Sequence, residues 1–222
     1  MKIIIVLYIM IINEPKIVFA WDLDETLGHF VELSILWETI EHFSTKNMTN
    51  SDFNKLLDLY PEFLRPNIMK ILTFLKNRKM QNKNIQVILF TNNQGPESWA
   101  QYIVEYFNHK IKYKLFDDII PAYKVNGVQV SKCRTSHEKK YEDLLKCLNL
   151  PNETKVCFID DQDHQQMKKK DVYYIHIKGY IYTIKLNELM FRFQESNLPS
   201  LFNINNEEIF IKMREYIEEF DF

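Results

Sequence analysis

The chain has little glycine, little cysteine and no excess of charge of either sign. Four glycines in 222 residues, beside abundant Ile, Lys, Asn, Tyr and Phe, is a bias of the kind AT-rich genomes impose. The three cysteines, Cys133, Cys147 and Cys157, lack the spacing of a metal-binding pair, which excludes a cysteine zinc site. They read as reduced, mostly buried thiols of an intracellular protein. Twenty-eight Lys and Arg against 30 Asp and Glu give a formal net charge of -2, so the chain is not a strongly basic nucleic-acid binder. The apolar run Ile3 to Ile12 follows Lys2 and stops at Asn13-Glu14-Pro15. It is too short to span a bilayer as a helix. No small-residue cleavage site of a secretory leader follows it. Residues 1–15 read as an extra β-branched strand or an extension, with membrane association the minority alternative. No other membrane contact is expected, and the expected compartment is cytoplasm or nucleus. There is no internal repeat, low-complexity tract or long linker.

What is present is a series of short apolar runs at 16–22, 85–91, 118–122, 155–160 and 172–177, which read as strands. Helical patterns lie between them. Pro66 to Lys79 carries Ile68, Ile71, Leu72 and Leu75 on one face, Pro96 to His109 carries Trp99, Ile103 and Phe107, and Tyr141 to Leu148 carries Leu144, Leu145 and Leu148. Alternating strands and helices predict an α/β fold, a Rossmann-like three-layer α/β/α sandwich around a parallel sheet. The expected main domain is 16–195. Within it, 28–63 forms a small helical flap holding Phe30, Trp37, Glu38, Phe43 and Asp52. Residues 196–222 form a C-terminal helical segment, with a helix over 206–220. Neither 28–63 nor 92–130 is long enough for a large cap domain.

The chemistry sits where the strands end. Ile17 to Trp21 runs straight into Asp22-Leu23-Asp24-Glu25-Thr26-Leu27, so a buried strand delivers two carboxylates to its C-terminal tip. That tip is where open α/β sheets bind ligands. Two such acids can hold a hard divalent cation, and a carboxylate can attack a phosphoryl group. Val87 to Phe90 ends in Thr91-Asn92-Asn93, a hydroxyl and backbone N–H groups suited to phosphate oxygens. Ser136 to Tyr141 places Lys139 and Lys140 at a helix start, where a lysine can meet a phosphate and an aspartate together. Val156 to Ile159 ends in Asp160-Asp161. Each signal alone is weak. Two strands ending in acid pairs, with a threonine and a lysine between them in order, form a set that needs a cation to be tolerable.

These four segments resemble the motifs of the haloacid dehalogenase (HAD) superfamily over roughly residues 16 to 180. Asp-Leu-Asp-Glu-Thr-Leu is similar to its branch of Fcp/Scp-type, NLI-interacting-factor-like C-terminal-domain phosphatases. Phe63-Leu64-Arg65-Pro66, and Phe90-Thr91 followed by Trp99-Ala100, match the same branch. Gln162-Asp163-His164 after the last acid pair departs from that branch's Ser-Pro, and no three-stranded insert is evident in the flap. The resemblance implies a phosphatase working through an aspartyl-phosphate. Asp22 would be the nucleophile and Asp24 the general acid and base. Thr91, Asn92 and Lys139 or Lys140 would bind the phosphate, with Lys132 a distant third for the lysine. Mg²⁺ would be held by Asp22, the Asp24 carbonyl, Asp161 and Asp160. Arg134 and His137 read as exposed loop residues, and Glu25 and Thr26 as braces of the turn. The expected substrate is a phosphoserine or phosphothreonine protein. A small metabolite, a nucleic-acid 3′-phosphate end, or a catalytically idle binding role are the alternatives.

Overall fold

The computed structural model describes Leu7, residues 17–204 and residues 206–219, so the expected extension at 1–15 lies outside the described residues except for Leu7. By its internal contacts the chain divides into two compact units. Met1–Gly28 with Arg65–Tyr180 make the first, and His29–Leu64 with Ile181–Phe222 the second.

The first unit is built on a five-stranded parallel sheet. Its strands are β1 (Ile17–Trp21), β2 (Ile85–Phe90), β3 (Asp118–Ile120), β6 (Lys155–Asp160) and β7 (Val172–His176), in the order β3-β2-β1-β6-β7. All five fall on the apolar runs. β1 is buried along its whole length and β2 nearly so, as expected of central strands covered on both faces. On one face Val18, Ala20, Ile88, Phe90, Val156 and Phe158 pack with Tyr141, Leu144 and Leu145. Three helices flank the sheet: α3 (Ile68–Gln81), α4 (Glu97–Ile111) and α5 (Tyr141–Cys147). Between β3 and α5 the chain adds a two-stranded hairpin, β4 (Lys124–Val125) and β5 (Val128–Gln129). Asn126 and Gly127 at its tip have φ of 50° and 78°, the left-handed pair that a tight hairpin demands. No further domain lies between Thr91 and Lys139. The chain runs from β1 to β2 and β3 on one side, then crosses to β6 and β7. The strand order therefore reverses between β1 and β6, where ligands bind in such sheets.

The cysteine reading needs correction. Cys133 and Cys147 form a disulfide, with Cα atoms 5.0 Å apart across a separation of 14 residues. The end of α5 returns beside the loop that precedes it, well within bridging range. Cys157 is a free thiol buried in β6.

The second unit is helical. It holds α1 (Val31–Phe43), α2 (Asn50–Leu59), a single 3₁₀ turn (Pro61–Phe63), α6 (Leu186–Glu195), α7 (Leu198–Phe202) and α8 (Asn206–Glu219). Thr49 and Asp52 cap α2 reciprocally, each side chain bonding the other's backbone N–H. Trp37 meets Phe53 edge to face at 5.2 Å between centroids. The insert is therefore helical, but it does not stand alone. The Tyr60 hydroxyl donates to the Leu189 carbonyl at 2.7 Å, Ser44 Oγ to the Phe202 carbonyl at 2.7 Å, and Arg192 to Glu62 at 2.7 Å. These bonds place 181–195 with the insert. Among the described residues, no helix is long and apolar enough to cross a membrane.

Candidate active site

The Asp22 N–H donates to the Ile159 carbonyl at 2.9 Å, which carries the pairing of β1 with β6 one residue past Trp21. The Trp21–Ile159 register thereby sets Asp22 beside Asp160. Asp160 is fully buried and Asp22 nearly so. The Lys139 ammonium lies between them, bonded to Asp22 and to Asp160 Oδ2 at 2.7 Å. Phe90 and Phe158 present their rings to the same ammonium, at 5.7 and 5.8 Å to the centroids. Burial pushes the Asp22 carboxyl well above the usual carboxylate range. Lys139 opposes that rise, while Asp160 and Asp24 add to it.

Past Asp22 the chain turns sharply. Glu25 N–H donates to the Gly28 carbonyl at 2.7 Å and Leu27 N–H to the Leu23 carbonyl at 2.9 Å, with Glu25 in the left-handed region at φ 55°. Arg65 holds this turn in place. Its guanidinium donates to the carbonyls of Thr26 at 2.6 Å, Glu25, and Lys178 at 2.8 Å. Thr26 donates its hydroxyl to Asp161 Oδ1 at 3.1 Å, tying the first acid segment to the second. Gly179 leaves space there, since a Cβ would lie 2.6 Å from Glu25 Oε2. Asp24 is aimed from the loop after β2, where Asn93 Nδ2 donates to Asp24 Oδ2 at 2.8 Å.

Together these residues form a cleft of about 320 Å³ whose wall includes Asp22, Asp24, Asn92, Asn93, Lys139 and Asp161. The two adjacent lysines separate clearly. Lys139 reaches the acids, whereas Lys140 donates to Thr135 Oγ1 at 3.0 Å and does not line the cleft. Thr91 does not line it either. Its hydroxyl oxygen accepts from Asn93 N–H at 2.9 Å, and its side chain faces a neighbouring groove.

Three residues of the site were not legible as such. Asn93 orients Asp24. Arg134, expected to be exposed, is 2 % exposed and donates to the carbonyls of Thr91, Pro121 and His137 and to Asn92 Oδ1. It knits together the loops that follow β2 and β3, and His137 contributes its carbonyl to that network. His164 lines the cleft with Nε2 3.5 Å from Asp160 Oδ2. Burial lowers its pKa and Asp160 opposes this.

One carboxylate oxygen each from Asp22, Asp160 and Asp161 lie within 4.8 Å of one another. Hard oxygen donors at that spacing suit a cation bound at roughly 2.0–2.6 Å. With all three carboxylates ionised, the single Lys139 ammonium leaves a net charge of -2, which a divalent ion neutralises. The cluster can therefore hold a metal ion. The Asp24 carboxylate lies outside it.

No protein-family model and no curated protein matches the chain. Among solved structures it is similar to the HAD domain of the effector protein Lem4 from Legionella pneumophila, an inactive mutant, at 17% identity and a TM-score of 0.49, over 91% of this chain and 98% of that one.

Proposed function

We propose that the chain is a HAD-type phosphoric monoester hydrolase that works through an aspartyl-phosphate and acts on a phosphoserine- or phosphothreonine-containing polypeptide. The observation that carries this is the buried Lys139 ammonium bridging Asp22 and Asp160 at the strand tips. A binding scaffold gains little from a buried cation held between two acids, since apolar residues of similar volume would often serve its stability as well. In the proposed reaction an Asp22 oxygen attacks phosphorus while Asp24 gives its proton to the departing alkoxide. Asp24 then takes a proton from water, the water oxygen attacks the same phosphorus, and the bond to Asp22 breaks to release orthophosphate. Asn93 holds Asp24 facing the leaving group, and Lys139 balances charge on Asp22 and the phosphoryl oxygens. Mg²⁺, held by Asp22, Asp160 and Asp161 with the Asp24 carbonyl, would supply further neutralisation of the phosphoryl charge.

The polypeptide substrate is supported by the chain between Thr91 and Lys139. It adds α4, β3 and a short hairpin but no second domain to enclose a small ligand. The test is hydrolysis of a generic aryl phosphate by the full chain, with and without Mg²⁺ and in excess EDTA, beside Asp22→Asn. We expect metal-dependent turnover that Asp22→Asn abolishes without loss of fold. Turnover by Asp22→Asn near the parent rate overturns the assignment. Nucleotides or sugar phosphates cleaved far more efficiently than every phosphopeptide overturn the substrate class.

A further inference from the structure

Beside the acidic cleft, the same end of the sheet carries a second groove of opposite character. Pro96, Ala100 and Gln101 contribute from α4 and its approach, Ala122 from the chain after β3, Val125 from the hairpin and Val130 from the chain just past it. No side chain that lines it is charged. Its volume is about 210 Å³, below the roughly 300–1,000 Å³ of sites that take whole small molecules. It has room for one large side chain.

The two hollows meet at Asn93, which lines both. Asn93 cannot turn freely between them. Its Nδ2 donates to Asp24, its Oδ1 accepts from Gly95 N–H at 2.8 Å, and a Cβ on Gly95 would lie 2.9 Å from that oxygen. The partition is thus a single fixed side chain. An extended polypeptide advances about 3.3–3.6 Å per residue. A chain with its phosphorylated residue on the acidic side therefore reaches the groove with a residue one or two positions away.

We propose that this groove is a specificity subsite, taking an apolar side chain one or two positions from the phosphorylated residue of a peptide substrate. The inference rests on the phosphopeptide reading of the acidic cleft. An uncharged wall offers no counter-charge to a charged side chain and would strip its water with little return. Val128 on the hairpin and Val130 just past it are 67 % and 48 % exposed, so apolar surface continues outward from the groove to meet the rest of such a chain.

The test is kcat/KM on phosphoserine peptides in which one position from two before to two after the phosphoserine is Leu, Gly or Asp, all other flanks being Gly. A small aryl phosphate runs in parallel. At one position Leu should exceed Gly and Asp by about tenfold or more, since a single methylene in an apolar pocket discriminates by about 10–200-fold. Val130→Asp should reduce the Leu peptide to the Gly level. Gln101→Lys, on an exposed residue of α4 that carries no fold, should do the same and favour Asp at that position. Equal kcat/KM for Leu, Gly and Asp at every position overturns the subsite and leaves the phosphopeptide reading standing. A Leu preference that survives both variants does so too. Turnover of the aryl phosphate with none of any peptide overturns the peptide reading and the subsite with it. No turnover of any ester overturns the phosphatase reading beneath both.

Discussion

Replacing Lys139 with methionine should destabilise the sheet unit far more than an ordinary buried substitution. Lys139 is 1 % exposed, and its ammonium is bonded to Asp22 and Asp160, themselves buried. Methionine fills similar space but leaves Asp22, Asp160 and Asp161 with oxygens within 4.8 Å and no compensating charge. Removing one partner of a buried ion pair costs about 3–5 kcal/mol. For a chain of this length that is a fall in Tm of about 6–20 °C, at about 2–4 °C per kcal/mol. Scanning calorimetry at pH 7 in EDTA measures it. The same geometry fixes how the loss should be recovered. With its three acids ionised the site passes from net -2 to net -3, so millimolar Mg²⁺ should raise the Tm of the variant more than that of the parent. A variant as stable as the parent in EDTA, or one that gains no more than the parent from Mg²⁺, would refute the electrostatic account of the site.

Asp24→Asn should slow aryl phosphate hydrolysis by about 10²–10⁴ while Mg²⁺ binding, measured by titration calorimetry, persists, because the carboxylate lies outside the acidic cluster. A parent-like rate across the pH range would contradict its acid–base role. In the helical unit, Lys46, Thr49 and Lys55 hold the Asp52 carboxyl down to about 2 despite the opposing effect of burial. A depressed carboxylate stabilises the fold above the unfolded-state pKa, so this contribution is complete above about pH 5 and is lost as pH falls toward 2. Its size is at most about 2 kcal/mol after solvent screening, and Asp52→Asn should flatten the acid limb of stability, read by circular dichroism. Replacing Cys133 and Cys147 with serine should cost about 3 kcal/mol, the entropy of closing a loop of this size. Unchanged denaturant midpoints with and without a dithiol reductant would contradict the bridge.

The strands were legible because central parallel strands are buried on both faces and so read as unbroken apolar runs. The flanking helices were legible from one-sided patterning. The hairpin at 124–129 was missed although Asn126-Gly127 signals it, because two-residue strands leave no run to find. Helix Leu186–Glu195 was missed for a different reason. Its Leu189 carbonyl accepts from the Tyr60 hydroxyl, 129 positions earlier, and the local sequence does not say which partner an amphipathic segment will find. The disulfide was misread because spacing in sequence does not report that α5 ends beside its own approach loop.

The site divides along the same line. The acids Asp22, Asp24, Asp160 and Asp161 were legible because a strand's end and its register are local properties, and neighbouring strands bring their ends together. What fixes those acids is not local. Arg65 satisfies three carbonyls of the turn after β1 and the chain near Lys178, Arg134 satisfies carbonyls after β2 and β3, and Lys139 joins the tips of β1 and β6. Each of these cations replaces several backbone or carboxylate partners that would otherwise be buried unpaired, at about 1–3 kcal/mol for each group left so. In a sequence a lysine or arginine before a helix is indistinguishable from a solvated one, as the adjacent Lys139 and Lys140 demonstrate. Only the count of inward-facing acceptors, which belongs to the folded loops, decides which one is buried. The reactive groups of this fold are therefore written in its strands, and the cations that aim them are written in the distances between its loops.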